Sequence, residues 1–299
     1  AVASRPIALS LAAAAAGTAS RAPFESLRAA RLVRSTGDAA RVECFHDKIR
    51  EALVLALPAP ALRERHAALA RALRGAPDAD PEQLAGHLLG AGEPDAASDY
   101  WVRAAERASR ELGFERAARL YALALEHGRF DAAVAQRIRA ARAEALAEAG
   151  AGIAAAEAFL AAVPGATAED ALMYQQHAAE QLVYGGQLDR GRELFDAVFR
   201  ALGLHMPGSS AATLASIVYH DARLRVRRYR WSGTTRVDPQ ARRQIDALRR
   251  ASNALIRVDP PRGMELGLRE ALLALRRGAA RDAALALARP GYVATALGG

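Results

Sequence analysis

The chain has 299 residues, of which 52% are hydrophobic and 5% aromatic, with a formal net charge of +8 and a single cysteine, Cys44. The apolar content excludes a chain that is disordered throughout, and the abundance of alanine over aromatic and β-branched residues favours a mainly helical protein. One cysteine excludes an internal disulfide and any multi-cysteine metal centre, and it fits a reducing, cytoplasmic compartment.

Lys48 is the only lysine, so nearly all of the basic charge is arginine. A P-loop needs a lysine after a glycine-rich loop, and a protein kinase needs a lysine on a strand, but Lys48 follows Phe45-His46-Asp47. We therefore predict no catalytic residue in this chain. We also predict no membrane partner, because no uninterrupted apolar run approaches the ~18 residues of a spanning helix.

The first 75 residues predict a small mixed module. Apolar periodicity favours helices over 6–16, 23–31, 47–57 and 60–73. Alternating residues over 32–34 and 41–45, with a turn-rich segment between them, predict a β-hairpin. Asp47 is expected to be the N-cap of the third helix. This order of elements predicts a winged-helix-like module over residues 1–75.

Residues 76–203 predict antiparallel helices with an internal repeat. Gly92 is followed by Ala96 and Tyr100, and Gly113 is followed at the same spacing by Ala117 and Tyr121; looser copies follow Gly150 and Gly186. Small residues let one helix approach its neighbour, and the aromatic residue fills the groove between them. The spacing favours tetratricopeptide-like helical hairpins. The alternative is an alanine-rich helical bundle without repeats.

The last third predicts more of the same architecture. Helices are expected over 211–230, 239–258, 261–277 and 279–288, after a loop at 205–210. We interpret 204–299 as continuing helical repeats, truncated at the C-terminus. The expected fold class is mainly α, a winged-helix-like module with one β-hairpin followed by a tetratricopeptide-like α–α superhelix.

The stretch Phe45-His46-Asp47, where a predicted strand meets a predicted helix, resembles the Met-His-Asp motif of the signal-transduction ATPases with numerous domains (STAND ATPases). The following helix with His66 and the repeat from Phe114 to Leu125 lie in the order seen in that family. The whole chain looks like the winged-helix and tetratricopeptide-repeat region of large bacterial, myxobacterial-type serine/threonine kinases with such an ATPase module.

This resemblance implies that His46 and Asp47 sense a nucleotide, with His46 contacting the β-phosphate of ADP. The ATP or ADP and Mg would belong to an adjacent P-loop ATPase domain of the same polypeptide, and the chain itself would hold no cofactor. A protein or ligand would bind the helical superhelix. The parent protein would be a cytoplasmic serine/threonine kinase, and this chain its non-catalytic regulatory region.

Three alternatives to this interpretation are suggested by the residues. The chain is also interpretable as a tetratricopeptide interaction scaffold without nucleotide control, with His46 a simple packing residue. Cys44 and His46 are close enough in sequence to begin a metal site, although no third ligand follows, and we predict no metal. A DNA-binding transcription regulator is the third alternative, and it is less favoured because an arginine-rich helix face is usually only solvated. Its evidence is one basic and aromatic cluster, formed by Arg223, Arg225, Arg227, Arg228, Tyr229, Arg230 and Trp231.

Overall fold

The structure, a computed structural model, describes residues 1–3, 5–18, 20–36, 40–232 and 238–296, with side chains as far as residue 288. Within those ranges the chain forms fifteen helices and three short strands. The expectation of a mainly helical protein is confirmed. The expected hairpin is part of a larger sheet, and the turn residues 37–39 lie outside the described residues.

The sheet has three antiparallel strands, β1 (Ile7–Ala8), β2 (Val33–Ser35) and β3 (Arg41–Cys44), in the order β1-β3-β2. The helix predicted over 6–16 is therefore shorter, and it begins only at Leu9. The physical reason is that Ile7 pairs with Val42 and the Leu9 amide donates to the Ala40 carbonyl at 2.7 Å, which commits this segment to β3. Both Ile7 and Val42 are buried.

Four helices complete the N-terminal module: α1 (Leu9–Ala16), α2 (Ala22–Ala29), α3 (Asp47–Ala56) and α4 (Ala59–Arg74). Helix α1 packs against α4. The core of the module forms around Ile7, Val42 and Leu69, with partly buried alanines and Phe24 against them. This small core holds the sheet in place, so that the end of β3 leads into α3.

The middle of the chain is a series of helices joined by short turns. Asp80 caps the first of them by accepting from the Glu82 amide, and Thr167 caps another by accepting from the Asp170 amide. The bounds are α5 (Pro81–Ala91), α6 (Pro94–Arg110), α7 (Phe114–His127), α8 (Ala132–Glu148), α9 (Gly152–Ala161), α10 (Ala168–Tyr184) and α11 (Leu188–Ala201).

The last four helices are α12 (Ser210–Val226), α13 (Pro239–Leu255), α14 (Pro260–Arg277) and α15 (Ala280–Ala296). Helices α13 and α14 each begin with an aspartate cap followed by proline at the first helical position. Helix α12 ends at Val226 rather than at the predicted residue 230, because Arg228 and Tyr229 have positive φ angles of 51° and 54°. The predicted truncation point at residue 299 lies outside the described residues.

The chain divides into two compact units, Ala1–Arg142 and Ala143–Gly299. In the first unit α4 packs against α5, α5 against α6, and α6 against α7. In the second unit the sequential packing runs through α9, α10 and α11 and through α13, α14 and α15, and α12 packs against α14. The boundaries predicted at residues 75 and 203 fall inside these units and stay predictions.

Candidate functional site

His46 and Asp47 lie at the exposed corner between β3 and α3. His46 is the N-cap residue, with extended backbone, and its ring meets that of Phe45 edge to face at 4.9 Å. Asp47, expected to be the cap, is instead the first helical residue, and its carboxylate lies 3.5 Å from Arg50 Nε. Both predicted sensing residues are thus adjacent and open to solvent.

Helix α3, which begins at this corner, buries none of its own residues. It nevertheless carries Ile49, Leu53, Val54 and Leu55, and the Leu55 side chain is 85% exposed. A helix with this many apolar residues gains most of its stability from packing. Within the described part of the chain, α3 is therefore an apolar helix that its neighbours cover only in part.

Cys44 and His46 face different surroundings. Cys44 lines an apolar pocket of about 430 Å³ that is open to solvent on one side and lies between the sheet, α1, α2 and α4, with Phe24 and Leu69 among its lining residues. His46 is not among the lining residues. In the described ranges, no group of three or more histidine, cysteine, aspartate or glutamate side chains has the geometry to hold a metal ion.

In the structure, the small and aromatic pair predicted in α6 is shifted by one residue. Ala117 and Tyr121 are buried in α7, whereas Ala96 and Tyr100 in α6 are only half-buried. In four helices a buried small residue occupies the fourth helical position and a buried aromatic residue the eighth. These pairs are Ala97 and Trp101 in α6, Ala117 and Tyr121 in α7, Ala155 and Phe159 in α9, and Gly191 and Phe195 in α11.

A left-handed residue precedes each of these four helices by two positions. It is Gly92, Leu112, Gly150 and Gly186, with φ between 60° and 87°. The next amide donates back into the preceding helix, as Gly113 does to the Ala108 carbonyl at 2.8 Å, in the pattern of a Schellman cap. Gly92 therefore corresponds to Leu112 and not to Gly113, which explains the shift of one residue in α6.

Side-chain links between alternate helices recur at nearly constant spacing. Arg116 Nε donates to Glu82 at 2.8 Å across 34 residues, and Arg190 donates to Glu157 at 2.9 Å across 33 residues. Burial raises the pKa of the Glu82 carboxyl, but the Arg116 hydrogen bond and the charges of Arg5, Arg116 and Arg119 outweigh it and hold that pKa below its ordinary value.

Two histidines form a direct contact between α4 and α5 that the sequence did not predict. The Nδ1 atoms of His66 and His87 are 3.1 Å apart. Burial lowers the pKa of both rings, and with the charge of His66 it lowers the pKa of His87 to about 4. The only feature of the sequence that relates to this contact is the glycine at position 90, because a Cβ there would lie 2.4 Å from His66 Nδ1.

A buried polar cluster between α12 and α14 was also missed. The Ser216 hydroxyl donates to buried Glu265 at 2.7 Å, and His220 Nε2 lies 4.0 Å from the same carboxylate. Burial raises the pKa of Glu265 against the opposing effects of Ser216 and Arg269, and burial lowers the pKa of His220 to about 4. Because the serine donates to the carboxylate and not to the histidine, the cluster is a hydrogen-bonded contact between two helices and not a nucleophilic triad.

No described helix has the length and apolar content to cross a membrane. Comparison with protein-family models, with curated proteins and with solved structures finds no match to this chain.

Proposed function

We propose that this chain is the non-catalytic regulatory region of a multidomain signalling protein, a serine/threonine kinase with an ATPase module. Its helical hairpins receive a protein or ligand signal, and the N-terminal module relays that signal to a nucleotide bound by an adjacent P-loop ATPase domain. The hairpins are tetratricopeptide-like in this proposal, which the small and aromatic register in α6, α7, α9 and α11 supports.

The observation that carries the proposal is the pairing of exposed His46 with an apolar helix that has no fully buried residue. Helix α3 starts at His46, and its Leu53 and Leu55 are exposed. A domain that covers α3 would desolvate these leucines and would bring its own surface against His46. In the proposed off state that domain is the ATPase, and His46 contacts the β-phosphate of its ADP.

The signal changes the output only if it binds the two nucleotide states with different free energies. A partner on the hairpins that prefers the open state releases the module from the ATPase domain, ADP leaves and ATP replaces it. His46 is then a reporter of the nucleotide state, and α3 supplies the apolar contact area of the closed state.

The test uses the full-length gene product loaded with a fluorescent ADP analogue. His46→Leu is expected to speed ADP release at least about tenfold, since a lost hydrogen bond to a charged group is worth roughly 1.5–3 kcal/mol, and to raise basal output. Leu55→Asp, which puts a charge into the apolar contact, is expected to do the same. His205→Leu and Leu112→Asp alter exposed residues elsewhere and serve as controls.

Unchanged ADP retention in both His46→Leu and Leu55→Asp would contradict the nucleotide relay. The same result would favour the scaffold alternative, in which the hairpins assemble partners without any nucleotide.

A further inference from the structure

We propose that the outer face of α12 binds an amphipathic, acidic helix of a partner protein. The α12 face consists of Ala211, Leu214, Ala215, Val218 and Ala222, all exposed. These residues recur every three or four positions, so they lie on one side of the helix. The inference deepens the proposed function, because it names one partner-binding surface of the helical region.

The α12 face is the side opposite to the one that holds the helix in the second unit. Helix α12 packs against α14 through buried Leu224, partly buried Ile217 and the Ser216 to Glu265 hydrogen bond. The opposite side leaves Val218 69% exposed. A contiguous apolar stripe of this kind on a well-anchored helix is typical of a protein-binding surface.

The size of the side chains indicates what kind of element fits. Three of the five residues on the face are alanines, which allow close approach of a second helix, and Leu214 and Val218 provide protruding contacts. Recognition by apolar anchors at helical spacing is the usual mode for an amphipathic helix. The flat face therefore suits a helix better than an extended peptide.

The positive charge next to the α12 face indicates that the partner helix is acidic. Between residues 210 and 232 there are five arginines and one acidic residue, Asp221, which already accepts from Arg225 at 2.7 Å. Arg223 lies over the Tyr219 ring, 5.4 Å from its centroid. Within the described part of the chain, the guanidinium groups of Arg228 and Arg230 form no ion pair.

The arginine-rich segment that follows α12, residues 227–232, is held in a fixed position. The Trp231 indole donates to the Gly278 carbonyl at 3.1 Å, the Ser232 amide donates to the Leu275 carbonyl at 2.9 Å, and Arg227 also donates to that carbonyl. A fixed positive charge favours acidic residues in the partner. A second copy packed parallel to α12 would bring like charges together, and one packed antiparallel would offer Arg228 and Arg230 a first turn without acidic residues. The occupant we infer is therefore a different, acidic helix. An antiparallel partner would place its acidic first turn at Arg228 and Arg230, where its own helix dipole also favours carboxylates.

The probe is a labelled synthetic helix of about five turns, with an acidic first turn and leucine at every third or fourth position, and binding is followed by fluorescence anisotropy. Two control peptides have the same composition, one with scrambled leucine spacing and one with lysine in place of each acidic residue. We expect saturable binding of the first peptide only, weakened at least about tenfold by Val218→Asp and by Arg228→Glu with Arg230→Glu. Val258→Asp and Arg200→Glu change exposed residues off the face and are expected to leave affinity unchanged.

Equal affinity for the scrambled peptide, or an equal loss in Val258→Asp, would overturn the proposal. A labelled single-stranded oligonucleotide that binds in an Arg228-dependent but Val218-independent way, and displaces the peptide, would reassign the surface to nucleic acid. Self-association abolished by Val218→Asp would reassign it to a second copy. No nucleotide is needed in these assays, so their failure leaves the ADP release test of His46 untouched.

Discussion

His66 of α4 occupies a notch in α5 that Gly90 leaves open, with its Nδ1 3.1 Å from that of His87. At this separation one Nδ1 carries a proton and donates it to the other, because two bare acceptors would repel each other. The contact joins the N-terminal module to the first helix of the hairpin region. No sequence pattern pairs these two histidines, and only the folded chain brings them together.

Gly90→Ala is expected to destabilise the first unit by about 1–3 kcal/mol, because the new Cβ would lie 2.4 Å from His66 Nδ1 and would push the ring out of the notch. Urea unfolding followed by circular dichroism measures the loss. Adding His66→Ala to the same chain should recover part of it, since the obstructing ring is then gone. An equal cost in the double variant would show that the ring is not the obstacle.

Lowering the pH below 6.5 is expected to destabilise the protein, before the pH range in which most carboxylates titrate is reached. Burial lowers the pKa of His87, His177 and His220 from 6.5 to about 4, with smaller contributions from neighbouring charges. The unfolded chain therefore binds more protons than the folded chain between these values. The stability that the neutral rings contribute is complete above pH 6.5 and is lost progressively as pH falls towards 4.

Unfolding midpoints at pH 7.5, 6 and 5 measure this loss. His177→Asn keeps a neutral polar side chain beside Phe159, and we expect its midpoint to fall less between pH 7.5 and 5 than that of the wild type. His205→Asn alters an exposed histidine and should follow the wild type. Identical slopes in all three proteins would contradict the assignment to buried rings.

The contribution of Glu265 to the pH dependence of stability has the opposite sign to that of the histidines. Burial raises its pKa, so ionisation of the folded state costs free energy that is fully present at neutral pH and vanishes as pH falls below 4.5. Glu265→Gln mimics the neutral form and should be more stable than the wild type at pH 7.5, with a difference that shrinks at pH 4. Glu157→Gln, at an exposed ion pair, is the control and should show no gain. A constant difference at both pH values would mean that packing, not charge, is responsible.

Composition and local pattern were sufficient to predict the helical class and the positions of most helices. They also placed His46 at the junction between a strand and a helix. They missed β1, because proline is common at the first position of a helix and the alanine-rich run after Pro6 has high helix propensity, while the pairing of Ile7 with Val42 is a contact across 35 residues. Long-range pairing of this kind leaves no local signal.

The repeat illustrates a second limit. Because both residues are glycines, the sequence suggested that Gly92 and Gly113 are equivalent positions of the repeat. The equivalent positions are those with left-handed backbone, and in the second copy that residue is Leu112. Buried polar contacts such as Ser216 with Glu265 were out of reach for another reason. Each side chain alone is typical of an exposed helix surface, and only packing of α12 against α14 buries them.

Gly191 is expected to be intolerant of even one methyl group. It is the small residue of the α11 pair, and its Cβ would lie 2.7 Å from Val183 Cγ2 and 2.9 Å from the Ala179 carbonyl oxygen of α10. We expect Gly191→Ala to cost about 1–3 kcal/mol in urea unfolding despite its gain in helix propensity. Val183→Ala in the same chain removes one of the two contacts and should lower that cost. A neutral or stabilising Gly191→Ala would show that α10 and α11 are not packed this closely.

Leu112 is expected to be a site where glycine stabilises the protein. Its side chain is 73% exposed and contributes little packing, while its φ of 60° is a conformation that costs a non-glycine residue roughly 1–2 kcal/mol. Leu112→Gly removes this strain but increases the entropy of the unfolded chain, so the expected net gain is about 0.5–1 kcal/mol. Leu112→Ala keeps the strain and should gain nothing, and Gly150→Ala, with φ of 75°, introduces the same strain and should lose about 1 kcal/mol. Thermal unfolding of the three variants beside the wild type distinguishes backbone strain from side-chain loss, because only strain predicts opposite signs for Leu112→Gly and Gly150→Ala.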